Sequence, residues 1–176
     1  CALPIFFDKA PAEKPFFLWV NFNDPHHPWN DAPRVNDPAK LPLPADWPDL
    51  PGVRDDLARY LDEVVRMDGE FQLVLDTIAK RRGLQNTLIV FAGDNGMALL
   101  HGKGSLHERG LNVPFIVRWP GVVKPGSVTR ALFSGEDLTP TLLEAAGLKG
   151  RAPMSGVSFR SEEHTSELQS RFGISY

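Results

Sequence analysis

Cysteine is almost missing from this chain of 176 residues. The single Cys1 excludes an internal disulfide and any zinc site built from several thiolates, while leaving the redox compartment open. An excess of one charge is missing too. Nineteen Lys and Arg against 22 Asp and Glu give a formal net charge of −3, so no field here would hold a polyanion non-specifically, and no nucleic acid partner is expected. Apolar runs stay well short of the roughly 20 residues that a membrane span needs, and no charged-then-apolar leader opens the chain. Opening on Cys instead of Met, the chain reads as a piece of a longer polypeptide. What is present is an ordinary globular composition, 42% hydrophobic and 23% charged, enough for one domain with a core.

Along the chain, Pro15-Phe16-Phe17-Leu18-Trp19-Val20-Asn21-Phe22 predicts a buried strand that stops in the turn Asn23-Asp24-Pro25. Half of the 16 prolines and two of the four tryptophans then lie between Pro25 and Pro51, with no helical or strand period, which marks a functional loop. Leu57, Leu61, Val64, Phe71, Leu75 and Ile78 keep helical spacing up to Gly83. Asp68 fills the one gap in that apolar seam, so its carboxylate is expected to need a partner. Strands are predicted at Thr87–Ala92, at Pro114–Trp119 and more weakly at Val128–Ser134, and a helix capped by Asp137 over Leu138–Ala146. Strands alternating with helices predict an α/β layered sandwich with a largely parallel sheet.

Three places carry groups suited to chemistry. Asp94 and Asn95 sit where the strand ending at Ala92 stops, the edge at which open α/β sheets bind ligands, and an acid beside an amide oxygen suits a hard cation such as calcium. Asp-Asn-Gly is also a common turn sequence. His26 and His27 lie between prolines in Asn23-Asp24-Pro25-His26-His27-Pro28, where fixed imidazoles bind an anion or move protons; solvated loop histidines are the plainer alternative. Lys103, between Gly102 and Gly104, is a point charge that an anion can approach closely, or else a surface lysine in a turn. The Walker phosphate-loop pattern is absent.

In order and spacing, Asp94-Asn95-Gly96, then Lys103-Gly104-Ser105-Leu106-His107-Glu108-Arg109-Gly110, then Val113-Pro114-Phe115-Ile116-Val117-Arg118-Trp119-Pro120-Gly121 resemble the sulfatase family. Phe16 to Pro28 is similar to that family's strand and Pro-His-x-Pro loop, and the helix ending near Gly83 and Asp137-Leu138-Thr139-Pro140-Thr141-Leu142-Leu143 also fit. Arylsulfatase-like and sulfamidase-like branches share these features. The resemblance spans nearly all of residues 15–159 and implies a partial catalytic domain over 1–159 with an alkaline-phosphatase-like fold. It implies a hydrolase of sulfate esters or N-sulfates acting on a sulfated small molecule or glycan. Asp94 and Asn95 would then be calcium ligands, Lys103 and His26 catalytic groups at the sulfate, and His101 a substrate-binding neighbour. The family's nucleophile, a formylglycine made from cysteine in a Cys-x-Pro-Ser-Arg-like motif, is expected in an upstream segment, because Cys1 is followed by Ala2-Leu3-Pro4-Ile5. A periplasmic, extracellular or lysosomal setting is implied as well. Two other readings use the same residues: a phosphatase or phosphodiesterase on the related scaffold, and a noncatalytic binding protein that kept it.

The C-terminal stretch reads differently. Arg160-Ser161-Glu162-Glu163-His164-Thr165-Ser166-Glu167-Leu168-Gln169-Ser170 resembles, residue for residue, a translation of the common short-read sequencing adapter, and Ile174-Ser175-Tyr176 matches its continuation. Residues 160–176 are therefore expected to be an adapter-derived tail outside the fold.

Overall fold

The computed structural model describes residues 3–160, so the expectation for the tail lies, except at Arg160, outside the described residues. The chain divides into two compact units, Cys1–Lys124 and Pro125–Tyr176.

The first unit is built on one long helix. It contains α1 (Leu3–Lys9), α2 (Pro51–Arg81), β1 (Ile89–Ala92), α3 (Glu108–Leu111) and β2 (Phe115–Arg118). Pro51 starts α2 where its missing N–H costs nothing, and Gly83, at φ +76, closes it by donating to the Ile78 and Ala79 carbonyls at 3.1 and 3.2 Å. On its C-terminal half Val74 and Ile78 are buried with Phe7, and Phe6, Phe16, Leu18, Phe22 and Leu84 pack around them. Each such buried aliphatic side chain contributes about 1.5–3 kcal/mol. Arg82 crowns this cluster, its guanidinium 5.9 and 5.7 Å from the rings of Phe7 and Phe16.

The N-terminal half of α2 buries charge as well as apolar surface. Asp68, expected on the apolar seam, is exposed, and the buried acids are Asp62 and Glu63, each 2% accessible. Along α2, Asp68 falls between the acids that meet the proline-rich segment and the part packed on phenylalanines, so it meets neither. Asp62 Oδ1 accepts from the Val35 and Asn36 backbone N–H groups at 3.0 and 2.8 Å, and Glu63 Oε1 from those of Asp31 and Ala32 at 3.2 and 3.3 Å. Arg66 donates to both Asp24 oxygens at 2.6 Å and to Glu63 Oε2 at 2.7 Å. A segment with no secondary structure of its own must place its buried N–H groups somewhere, and these carboxylates receive them.

The strands at 87–92 and 114–119 form in part, but the sheet differs from the expected largely parallel one. β1 and β2 pair antiparallel, Ile89 opposite Arg118 and Ala92 opposite Phe115, and this is the only ladder among the described residues. The intervening residues turn back on themselves instead of crossing over, which returns the chain beside β1 in the opposite direction. Residues 15–22 run extended without a ladder. Their alternation is partial, with Phe16, Leu18 and Phe22 on the core and Phe17 and Trp19 68% and 63% exposed, while Val20 is exposed as well. Among the described residues no strand pairs with this segment.

In the second unit, the 3₁₀ turn Gly135–Asp137 leads into α4 (Leu138–Ala145), followed by Gly147 at φ +68. The weak strand expected at 128–134 does not form. Asp137 does not cap α4 through its side chain. Its carboxylate instead accepts from the Ser134 and Val157 N–H groups, both at 2.8 Å. Buried Thr141 donates to the Asp137 carbonyl and accepts from the Phe159 N–H, so the strand-less residues 157–159 are held by two side chains of the α4 region.

Candidate functional site

The loop between β1 and β2 carries four of the five predicted site residues, and glycines shape it. A Cβ on Gly96 would sit 2.0 Å from the Arg109 carbonyl oxygen, one on Gly102 2.0 Å from that of Met97, and one on Gly110 2.4 Å from that of Ser105. Only hydrogen at these three positions lets the loop fold against itself. Hydrogen bonds fix the result: Lys103 N–H donates to the Met97 carbonyl at 2.8 Å, and Gly102 N–H to that of Leu99 at 3.0 Å. Lys103 is thus an exposed cation on a determined backbone, and Gly104, at φ +80 with open space around it, leaves its flank clear.

Asp94 and Asn95 stand just past the C-terminal end of β1, after Gly93, whose N–H extends the ladder to the Pro114 carbonyl at 2.9 Å. Both are exposed. The Asn95 amide nitrogen donates to the Gly96 carbonyl at 2.9 Å, which leaves Oδ1 as its free acceptor. The carboxylate and the amide oxygen of these sequence neighbours are hard donors of the kind calcium takes, two of the roughly six to eight it needs. Among the described residues no group of three or more His, Cys, Asp or Glu gathers into a closed metal site.

His26 lies elsewhere, in the turn after the extended segment, with its N–H on the Asn23 carbonyl at 2.9 Å. Its Nδ1 is 2.6 Å from the His27 carbonyl oxygen. A carbonyl only accepts, so Nδ1 carries the proton and Nε2 is the nitrogen left for a ligand. That bond ties His26 to its own turn, and no hydrogen bond or ion pair joins it to Lys103. His101 adopts φ +58, the only positive value at a non-glycine among the described residues, and stacks on His107 with centroids 4.5 Å apart.

A cluster missed from sequence adjoins His101. Asp46 accepts from Arg109 through both oxygens, at 2.7 and 2.6 Å, and lies 3.2 Å from His101 Nδ1. The Arg109 hydrogen bonds, aided by the one from His101, hold the Asp46 carboxyl far below its usual range. The Arg109 guanidinium lies 5.5 Å from the ring centre of Trp47, which is 6% exposed. Asp46 and Arg109 are 63 residues apart, and the only signal for their meeting was the density of proline and tryptophan in the loop that carries Asp46.

The family model described as Sulfatase matches residues 3–148. The chain belongs to the sulfatase family. With that family comes an alkaline-phosphatase-like α/β fold. Human N-sulphoglucosamine sulphohydrolase is 32% identical over 157 residues, covering 75% of this chain and 31% of the relative. An ulvan-active sulfatase of Formosa agariphila is 31% identical over 150 residues, covering 84% and 29%. An N-acetylgalactosamine-6-O-sulfatase of Bacteroides thetaiotaomicron is 32% identical over 177 residues, covering 89% and 31%. The chain therefore spans about a third of the length of these relatives.

Proposed function

We propose that this chain supplies the sulfate-holding half of a hydrolase for sulfate esters or N-sulfates. The observation that carries the reading is the glycine-packed loop, which follows β1 with Asp94 and Asn95 and then sets Lys103 on a fixed backbone. Asp94 and Asn95 would hold calcium, which when bound polarises a sulfuryl oxygen. Lys103 offsets the negative charge of the sulfate group, and more strongly as charge builds in the transition state. His26, protonated on Nδ1 by its bond to the His27 carbonyl, offers Nε2 to the sulfate or the leaving atom. His101 lies in the same loop. The nucleophile in this reading is a formylglycine outside these residues. The named relatives act on sulfated sugars, both N- and O-linked by their names, which makes a sulfated glycan the proposed substrate class.

The test joins this chain to a segment bearing a matured formylglycine and assays an aryl sulfate with calcium present. Lys103→Ala should lower kcat/KM by roughly 10²–10³, as loss of a charge-stabilising donor does. Undiminished turnover in that variant would remove Lys103 from the site. The chain by itself should show no turnover, since none of its groups is an activated nucleophile.

A further inference from the structure

We infer that Asp46 is a positioning residue for this loop: its carboxylate holds His101 in the Nδ1–H form and anchors the Lys103 loop to the proline-rich segment. The inference deepens the sulfate-site reading, and His101's part in binding rests on it. Two features make the assignment chemical and not merely structural. Arg109 grips both Asp46 oxygens, at 2.7 and 2.6 Å, which keeps the group ionised and therefore an acceptor only. The one His101 nitrogen within reach, Nδ1 at 3.2 Å, must then donate, and Nε2 becomes the nitrogen left to a ligand.

The backbone transmits this constraint. His101 sits at φ +58, Ser105 Oγ donates to its carbonyl at 2.9 Å, and Gly102 is wedged against the Met97 carbonyl. Lys103 follows immediately, its own N–H on that same carbonyl. A displacement at His101 therefore reaches Lys103 without slack between them. His107, stacked on the imidazole at 29°, limits ring rotation from one face. The result resembles His26 in outcome: both imidazoles are fixed with Nδ1 protonated, one by a carbonyl and one by a carboxylate.

Long-range proton–nitrogen correlation of the imidazoles of the whole chain tests this, with pH set where the histidines are neutral. Wild-type His101 should show the Nδ1–H pattern. Asp46→Ala, which removes the acceptor, should move it to the Nε2–H form and weaken binding of inorganic sulfate by roughly three- to tenfold, the size of one lost hydrogen bond. Asp46→Glu should restore the Nδ1–H signature. Arg109→Ala, which leaves the carboxylate in place, should keep the Nδ1–H form even if the loop loosens. Wild-type His101 found as Nε2–H, or an unchanged tautomer in folded Asp46→Ala, would overturn the inference. If the tautomer switches as expected but sulfate perturbs neither Lys103 nor His101 in the wild type, the Asp46–His101 pair stands and the sulfate-site reading falls.

Discussion

At the scale of single residues, hydrogen at Gly102 matters as much as charge at Lys103. Gly102→Ala places a methyl 2.0 Å from the Met97 carbonyl oxygen, backbone that cannot swing aside, so the loop must open. A loss of about 1–3 kcal/mol is expected by urea denaturation, together with loss of the sulfate response at Lys103. Asp62 contributes to the acid limit. Burial pulls its carboxyl upward, yet the Asn36 side chain, the Asn36 and Val35 backbone N–H groups and the Arg34 charge together hold it below the ordinary 3.8. A depressed folded value means that its contribution is complete above the unfolded value and fades as pH falls through the folded one. Urea midpoints should therefore hold from neutral pH to about 5 and drop below about 4. Asp62→Asn should lower the midpoint at pH 7 and flatten the acid limb; a limb of unchanged slope would assign the acid sensitivity to other carboxylates. The position of Asp94 and Asn95 past a strand end, and of Lys103 between glycines, was readable in the sequence because such context is local. The sequence could not announce Asp46 or Asp62, whose meaning comes from partners met only in the fold.

At the scale of elements, α2 was legible from Leu57 to Gly83 because a 31-residue helix repeats its period many times, while its first turn from Pro51 reads in sequence as the end of the proline-rich loop. Which of its faces buries charge was not legible, since helical spacing is blind to the backbone donors of a segment packed alongside. Two substitutions separate these. Ile78→Ala, inside the cluster with Phe7 and Val74, should cost about 2–5 kcal/mol, whereas Asp68→Ala should stay within about 0.5 kcal/mol. A costly Asp68→Ala would return that residue to the apolar seam. β1 and β2 were readable as apolar runs bounded by breakers, but their direction was not, because alternation along a strand says nothing of its neighbour. Residues 15–22 show the same gap: their alternation places Phe16, Leu18 and Phe22 inward, yet a strand exists only where another backbone answers it.

At the scale of the whole molecule, the order and spacing of short motifs carried the family assignment further than any element did. The match over residues 3–148 leaves the adapter-like tail outside it. Truncation after Phe159, which removes the whole expected tail, should leave the melting temperature unchanged by calorimetry, and a clear drop would make the segment part of the fold. The four tryptophans of the chain are spread through unlike surroundings, Trp19 63% exposed and Trp47 only 6%. Indole emission shifts with nearby charge and water, and Trp47 has a guanidinium 5.5 Å from its ring, supplied by the residue that clamps Asp46. The chain thus carries its own optical gauge. Light from Trp47 should be blue and shielded from iodide while the two segments touch, and should redden and become quenchable when Arg109 withdraws, so opening of the loop can be followed in real time without a label.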